Sequence, residues 1–464
     1  MDVLEGPLRD RSKLVVIQSE PQLATWPIST QWGRLRWIDV DSGEAEAGVD
    51  PLPLDVSLWP GERADNVYVF NPGMLQLYEA RRGTDALQAL TPKGMSITDA
   101  SVSADGKTIA AIVESADSPG HVQVWTSHSR KWHALRSGRI EWRSPGRLPI
   151  EHVQWHSADD LFVVDGFVAK PVDFDPRKKY PLIVLLKGGN AQGTYPFENR
   201  FDPFFGGGEV GGPPVSVYTA AGYVVLMPNH RVTESAPVQA AQAVIGQYGQ
   251  HVTLDVEAGI DFLIEKGWVD GSQIGIYGQS HGGDEVAYAI SNSRRFKAAV
   301  INDSPVMLPE HFVPSTEANS ILVPWYGRKV MSHLIGFDVM EKPWVDPAKI
   351  YTPLLLRWGS SGRPNWPAQP LSLATGWNMA NQAGVAQTER LIEALERNDV
   401  AIEVLVDRDE HQIVHYDYML EWQSRLLQWF DFFVRGQGDN PLPAMKSPID
   451  YSKLLKEVLG EVRD

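Results

Sequence analysis

Ser280 stands at the centre of Gly278-Gln279-Ser280-His281-Gly282, a G-x-S-x-G phrase extended by Gly283. That spacing suits a nucleophile elbow, in which a sharp turn between a strand and a helix lifts a serine hydroxyl clear of the backbone. The turn strains the backbone, so its flanking residues must be small, and glycine leaves the room. A serine hydroxyl is a poor nucleophile near neutral pH. It needs an imidazole to take its proton, and the imidazole needs a third group to fix its tautomer and stabilise its cation. Such a set carries out acyl transfer through a covalent intermediate. The charge that develops on the attacked carbonyl oxygen calls for two donors, and the backbone N–H of His281, the residue after the nucleophile, is the first by the geometry of the turn.

An elbow requires a strand entering it and a helix leaving it. The sequence supplies both: "QIGIYGQSHGG" reads as a buried strand and "GGDEVAYAISNS" as the helix that follows. From about Phe167 onward, apolar runs alternate with amphipathic segments of helical length, the pattern of a mostly parallel sheet covered by helices. "YPLIVLLKGG", "AAGYVVLMPNHR", "FKAAVIND", "TPLLLRWG" and "AIEVLVD" are the strands. "TLDVEAGIDFLIEKGWVD", with Val256, Ile260, Leu263 and Ile264 at helical spacing, "QTERLIEALERND" and "YMLEWQSRLLQWFDFFVRG" are helices.

Before that point, residues 13–165 hold short apolar runs broken by Gly, Asn, Asp and Pro, which read as antiparallel strands and hairpins. "SVSADGKTIAAIV", Ser101 to Val113, places an Asp-Gly turn between two strands and is similar to the edge of a β-propeller blade. At ~40 to 50 residues per blade this length makes about three blades, fewer than closed propellers usually have, so a small β-sandwich stays open as the alternative. The expected organisation is therefore α/β: a β-rich, propeller-like domain over 1–165, an α/β-hydrolase domain over 166–440 and a C-terminal tail over 441–464.

Composition narrows the function. The chain has 464 residues, 43% of them hydrophobic, with 16 Trp, 14 Tyr and 15 Phe, enough apolar surface for substantial folded cores. Lys and Arg number 42 against 58 Asp and Glu, a net charge of -16, and no dense basic stretch tracks a phosphate backbone, so nucleic acid is not an expected partner. The longest apolar runs fall well short of the ~20 residues a bilayer requires, and Met1 to Asp10 is charged, unlike a signal peptide. No membrane association is expected, and the cytoplasm is the default location. With no Cys, disulfides, thiol nucleophiles and thiolate metal sites are excluded. No cofactor or metal is expected; His415 lies four residues from His411, but no third ligand accompanies the pair.

Seven phrases in order, "DGFVAKPVDFDPRKKYPLIVLLKGG", "AAGYVVLMPNHR", "WVDGSQIGIYGQSHGG", "RFKAAVINDSPV", "TPLLLRWG", "EHQIV" and "QWFDFFVRG", give the chain its resemblance to the prolyl oligopeptidase family of serine peptidases, over roughly Val153 to Gly436. The resemblance implies an N-terminal β-propeller that restricts substrate size and a C-terminal α/β-hydrolase domain. It implies His411, on the loop before the last helix, as general base, and the "LLKGGN" loop as source of the second oxyanion donor. Family members carry tyrosine or histidine before those glycines, where this chain has Lys187, either a donor or a solvated charge.

The acid departs from the family. An aspartate is expected shortly after "LLLRWG", yet no Asp or Glu occurs between Asp346 and Glu389. Direct alignment puts Gly362 there; treating the Pro-rich segment as an insertion puts Asn381 or Gln382 there, and none of these ionises. Asp303, at the end of the strand after the elbow helix, occupies an alternative acid position that some α/β-hydrolases use, or else caps the turn before Ser304-Pro305. Asn381 could instead orient His411 by a neutral hydrogen bond. Asp284 and Glu285, at the start of the elbow helix, suit its positive terminus and are expected to be structural. "NRFDPFFGGGEVGGPP", Asn199 to Pro214, and "NWPAQPLSLATGWN" read as loops near the site. The expected function is a serine hydrolase cleaving short peptides or amides through an acyl-enzyme at Ser280. A carboxylic ester hydrolase and a catalytically impaired binding protein are the alternatives.

Overall fold

Two kinds of sheet follow from the two kinds of pattern. The computed structural model describes residues 6–7, 13–19, 32–47, 52–53, 56–71, 75–92, 95–115, 118–135, 150–186, 215–231, 233, 248–279, 281–304, 345–359, 382–407, 413 and 415–442. The chain forms two compact units, divided in the main between Arg147 and Leu148.

In the first unit, short strands pair antiparallel with their sequence neighbours into three sheets. The first is built on Lys13–Ser19 and Trp32–Asp39; the second on Ser57–Pro60, Asn66–Asn71, Gln76–Arg81 and Gln88–Ala89; the third on Ser96–Val102, Thr108–Ser115, Ser118–Thr126 and Lys131–Ala134. Successive residues of a strand face opposite sides, so the middle sheet serves two cores. Val67, Val69 and Ala80 pack with Val15, Ile17, Leu35 and Trp37 of the first sheet. Tyr68, Phe70 and Leu77 pack with Ile97, Ile109 and Trp125 of the third. The expected Asp-Gly hairpin is present, with Val102 opposite Ile109 and Gly106 in the left-handed region at φ +64°. The Tyr68 hydroxyl donates to the Gly106 carbonyl at 2.9 Å, fixing that turn to the middle sheet. This is a propeller-like stack of three sheets.

The second unit holds one eight-stranded sheet. We number its strands β1 (Ile150–His156), β2 (Val163–Ala169), β3 (Tyr180–Leu186), β4 (Val224–Asn229), β5 (Val269–Gln279), β6 (Ala298–Asn302), β7 (Leu354–Gly359) and β8 (Ile402–Asp407). They lie in the order β1-β2-β4-β3-β5-β6-β7-β8. β1 and β4 run antiparallel to β2, and β3 to β8 are parallel to one another. This is the α/β-hydrolase architecture expected above.

The sequence reading placed the domain boundary at 165/166, inside β2, and counted β1 with the β-rich half. The difference has a physical reason: β1 and β2 form an antiparallel hairpin, whose local pattern is that of any blade strand, and only long-range pairing of β2 with β4 assigns it to the hydrolase sheet. The proposed tail over 441–464 lies outside the described residues beyond Leu442.

The described helices are α1 (Val215–Ala220), α2 (Tyr248–Glu265), α3 (His281–Asn292), α4 (Gln382–Arg397) and α5 (Tyr416–Phe433). The central strands are covered on both faces, so they read as continuous apolar runs, as parallel strands must. On one face, Trp422, Leu426, Trp429 and Phe430 of α5 pack against Ile183, Val225, Tyr277, Val300 and Leu355. Gly275 of β5 admits this closeness: a Cβ there would lie 2.7 Å from the Phe430 ring. Trp429 is wholly buried in this core. Trp429→Ala should lower the stability of the hydrolase unit by about 3 to 5 kcal/mol. Denaturant unfolding measures this, and a loss below about 1 kcal/mol would contradict the packing described.

Candidate active site

Every residue proposed to carry chemistry follows the C-terminal end of a parallel strand, the edge where open α/β sheets place their sites. Lys187 follows β3, Ser280 follows β5, Asp303 follows β6, and His411 lies four residues beyond the end of β8. Lys187, Ser280, Asn381 and His411 themselves lie outside the described residues, as do the loops 199–214 and 365–378. The junction around Ser280 is nonetheless defined. β5 ends at Gln279 and α3 begins at His281, leaving a single residue to make the turn.

The glycines of the phrase have distinct steric reasons. A Cβ at Gly278 would run into the carbonyl oxygen of Gly282, backbone against backbone, and one at Gly283 would run into the side chain of Ser304. Strand end, helix start and Ser304, the second residue after β6, are thus in contact. His281 opens α3, and the N–H groups of a helix's first turn have no partner within the helix. That is the physical basis for taking the His281 N–H as an oxyanion donor.

Asp303 is buried and adopts φ +44°, in the left-handed region that Asp tolerates better than most residues. Its N–H donates to the Arg357 carbonyl of β7 at 2.8 Å, so the turn after β6 is tied to the next strand. Ser304, next in sequence, donates its hydroxyl to Asp284 Oδ1 at 3.2 Å. Asp284 and Glu285 are both buried among protein groups, which supports the structural role expected for them over one in binding a cationic substrate. Burial drives the Asp284 carboxyl well above its ordinary 3.8, and Glu285 adds to the rise against the opposing hydrogen bond from Ser304.

Sequence reasoning passed over two buried polar assemblies at this sheet edge. In one, Arg357 Nη1 donates to Asn302 Oδ1 at 3.1 Å, and Asn302 Nδ2 donates to the Tyr277 hydroxyl at 3.0 Å. In the other, Arg231 follows β4 and is wholly buried. Its Nε and Nη2 reach the two carboxylate oxygens of Asp255 at 2.8 and 2.5 Å, its backbone N–H donates to Asp255 at 3.1 Å, and Nη1 reaches Asp159 at 2.6 Å. Arg231 holds the Asp159 carboxyl far below the usual range. His230 precedes Arg231 and sits 3.2 Å from Glu285. The available signal was a charged residue ending an otherwise apolar strand run, in "LLLRWG" and "VVLMPNHR".

Among the described residues, no group of three or more His, Asp or Glu is placed to hold a metal ion. None of their helices is long and apolar enough to cross a membrane. His415 is exposed at the start of α5, with its ring 5.9 Å from that of Tyr418.

Residues 213–436 match the model of the prolyl oligopeptidase family. The chain is similar to dipeptidyl-peptidase 5 of Porphyromonas gingivalis, 30% identical over 285 residues that cover 61% of this chain and 38% of that one. It is also similar to dipeptidyl-peptidase 5 of Schizosaccharomyces pombe, 22% identical over 286 residues, 60% of this chain and 37% of the other. The chain therefore spans less than two fifths of the length of these curated relatives. Among solved structures, Pyrococcus horikoshii acylaminoacyl peptidase superposes with a TM-score of 0.63 at 16% identity, over 94% of this chain and 64% of that one. A puromycin-hydrolyzing peptidase of Mycobacterium tuberculosis superposes with a TM-score of 0.60 at 15% identity, over 93% and 71%. These likenesses establish the fold.

The raised Asp284 carboxyl has a consequence for stability. Between the unfolded value near 3.8 and the higher folded value, the folded state holds a proton that the unfolded state has lost, so stability falls as pH rises through that window. Asp284→Asn, which keeps an oxygen to accept from Ser304, removes this penalty. Its thermal midpoint should match wild type near pH 4 and exceed it increasingly toward neutral pH; a variant equally destabilised at both would contradict a protonated Asp284.

Proposed function

We propose that this chain, whose residues 213–436 match the model of the prolyl oligopeptidase family, is a serine peptidase that cleaves short peptides or amides through an acyl-enzyme at Ser280. The observation that carries the reading is the one-residue junction between Gln279 and His281, flanked by Gly278, which packs against the Gly282 backbone, and Gly283, which packs against the Ser304 side chain. It fits a nucleophile elbow and little else.

The proposed cycle uses groups at one sheet edge. Ser280 Oγ attacks the scissile carbonyl while the His411 imidazole takes its proton, and the same imidazole returns that proton to the leaving amine. The His281 N–H stabilises the carbonyl oxygen as it gains charge, with Lys187 as the second donor. Water then attacks the acyl-enzyme by the same route in reverse. Asp303 is the proposed acid, orienting His411 and stabilising its cation. Its support is its place: it follows β6, one strand from the elbow on the side toward β8, and it is buried, where a carboxylate acts on a neighbouring cation with little screening. Asn381 is the alternative orienting residue. Peptide and other small acyl substrates are the proposed partners.

Turnover of aminoacyl and dipeptidyl p-nitroanilides, set against p-nitrophenyl esters, tests this. Ser280→Ala and His411→Ala should each lower kcat on the anilides by about a thousandfold or more, and Asp303→Asn by about a hundredfold or more with KM little changed. Loss on Asn381→Ala but not on Asp303→Asn would move the orienting role to the amide. Turnover of esters alone would make the chain an esterase.

A further inference from the structure

A buried ion pair joins the elbow helix to the loop after β4. His230 Nε2 lies 3.2 Å from Glu285 Oε2, and the two side chains are only 6% and 3% exposed. Glu285 is five residues beyond Ser280, ~7.5 Å along the helix axis. His230 is not free to shift, because Arg231 beside it is clamped through main chain and side chain to Asp255 of α2. α2 in turn packs closely on α3: a Cβ at Gly249 would lie 2.5 Å from the Tyr288 ring, and Ser293 donates to Glu257 at 2.5 Å. The pair is therefore one contact in a closed circuit of the post-β4 loop, α2 and α3, the Arg231–Asp255 ion pair being another.

We propose that His230 and Glu285 are positioning residues for Ser280, with the protonated His230 holding the first turns of α3, and so the elbow, in the geometry that acylation needs. This rests on the reading of Ser280 as nucleophile. The tolerance there is small, since about 1 Å of misplacement costs about a hundredfold in rate.

The groups facing His230 set when the pair is charged. Burial lowers the proton affinity of its imidazole, but the attraction and hydrogen bond of Glu285, with Asp255 of α2 adding, outweigh burial and the repulsion of Arg231 and leave it above the ordinary 6.5. His251 of α2 and Asp159 of the β1–β2 turn lie behind Arg231, and Asp284 lies beside Glu285 on α3. A histidine raised in the fold contributes its full share at pH below about 6.5 and loses it as pH climbs through the higher folded value. A nucleophile served by His411 gains reactivity over the lower part of this range, so the loss of His230 charge should appear as a separate falling limb on the alkaline side.

The test is the second-order rate of Ser280 labelling by a fluorophosphonate, from about pH 6 to pH 10, on the full chain, well below its thermal midpoint. Wild type should rise and then fall. Glu285→Gln should move the falling limb to lower pH, His230→Gln should remove it and lower the rate about tenfold near neutrality, and His230→Lys, charged across the range, should restore the rate and keep it high at alkaline pH. Thermal midpoints separate the alternatives: variants that lose stability while keeping the wild-type pH shape have lost a structural contact only, and that outcome overturns the proposal. Equal rates and shapes in all four proteins overturn it too. No labelling of wild type at any pH sinks the nucleophile assignment itself and this inference with it, whereas labelling with an unchanged pH shape sinks this inference alone.

Discussion

The close approach of three backbone segments, at Gly278, Gly282–Gly283 and Ser304, is the constraint on which the second unit is built. Interior packing leaves no slack for a methyl group at either Gly278 or Gly283. One residue, Ser280, separates the end of β5 from the start of α3. β5 lies at the middle of the sheet, β3 on one side and β6 on the other. The sheet order does the assembling: residues more than a hundred positions apart in sequence, such as Ser280 and His411, follow strands of one parallel set.

That convergence concentrates charge in a place that excludes water. Burying carboxylates is costly unless each is neutralised, paired or hydrogen-bonded. The structure uses all three. Burial raises the proton affinity of Asp284, which accepts from Ser304; Glu285 faces His230; Asp255 takes both arms of Arg231. Removing one member of such a set leaves the other stranded, which is why these residues act as a unit. Asp284 and Glu285 also lie near the N-terminal end of α3, where the helix dipole favours negative charge.

Much of this was legible in the sequence. The apolar runs of β3 to β8 and the helical spacing of Val256, Ile260 and Leu263 are the direct imprint of a covered parallel sheet, and these side chains are buried. The Asp-Gly hairpin and the three-sheet stack followed from turn residues and strand length. The boundary did not, because whether the β1–β2 hairpin joins a blade or the hydrolase sheet depends on pairing between Val163–Ala169 and Val224–Asn229, about sixty residues apart and invisible to local pattern. Nor did the buried charges. Glu285 was attributed to the helix dipole, and its partner His230 lies on another strand's end, 55 positions away, so periodicity on one element says nothing of it. Arg357 within "LLLRWG" was legible as an oddity but not as the donor to Asn302.

The central claim is that the one-residue junction makes Ser280 the nucleophile of an acyl-transfer site, with the remaining groups arranged to serve it. Intact-mass analysis after exposure to diisopropyl fluorophosphate, followed by peptide mapping of the adduct, tests this most directly. The account predicts one phosphoryl group per chain, placed on Ser280. An unmodified protein, or an adduct on any other residue, would contradict it.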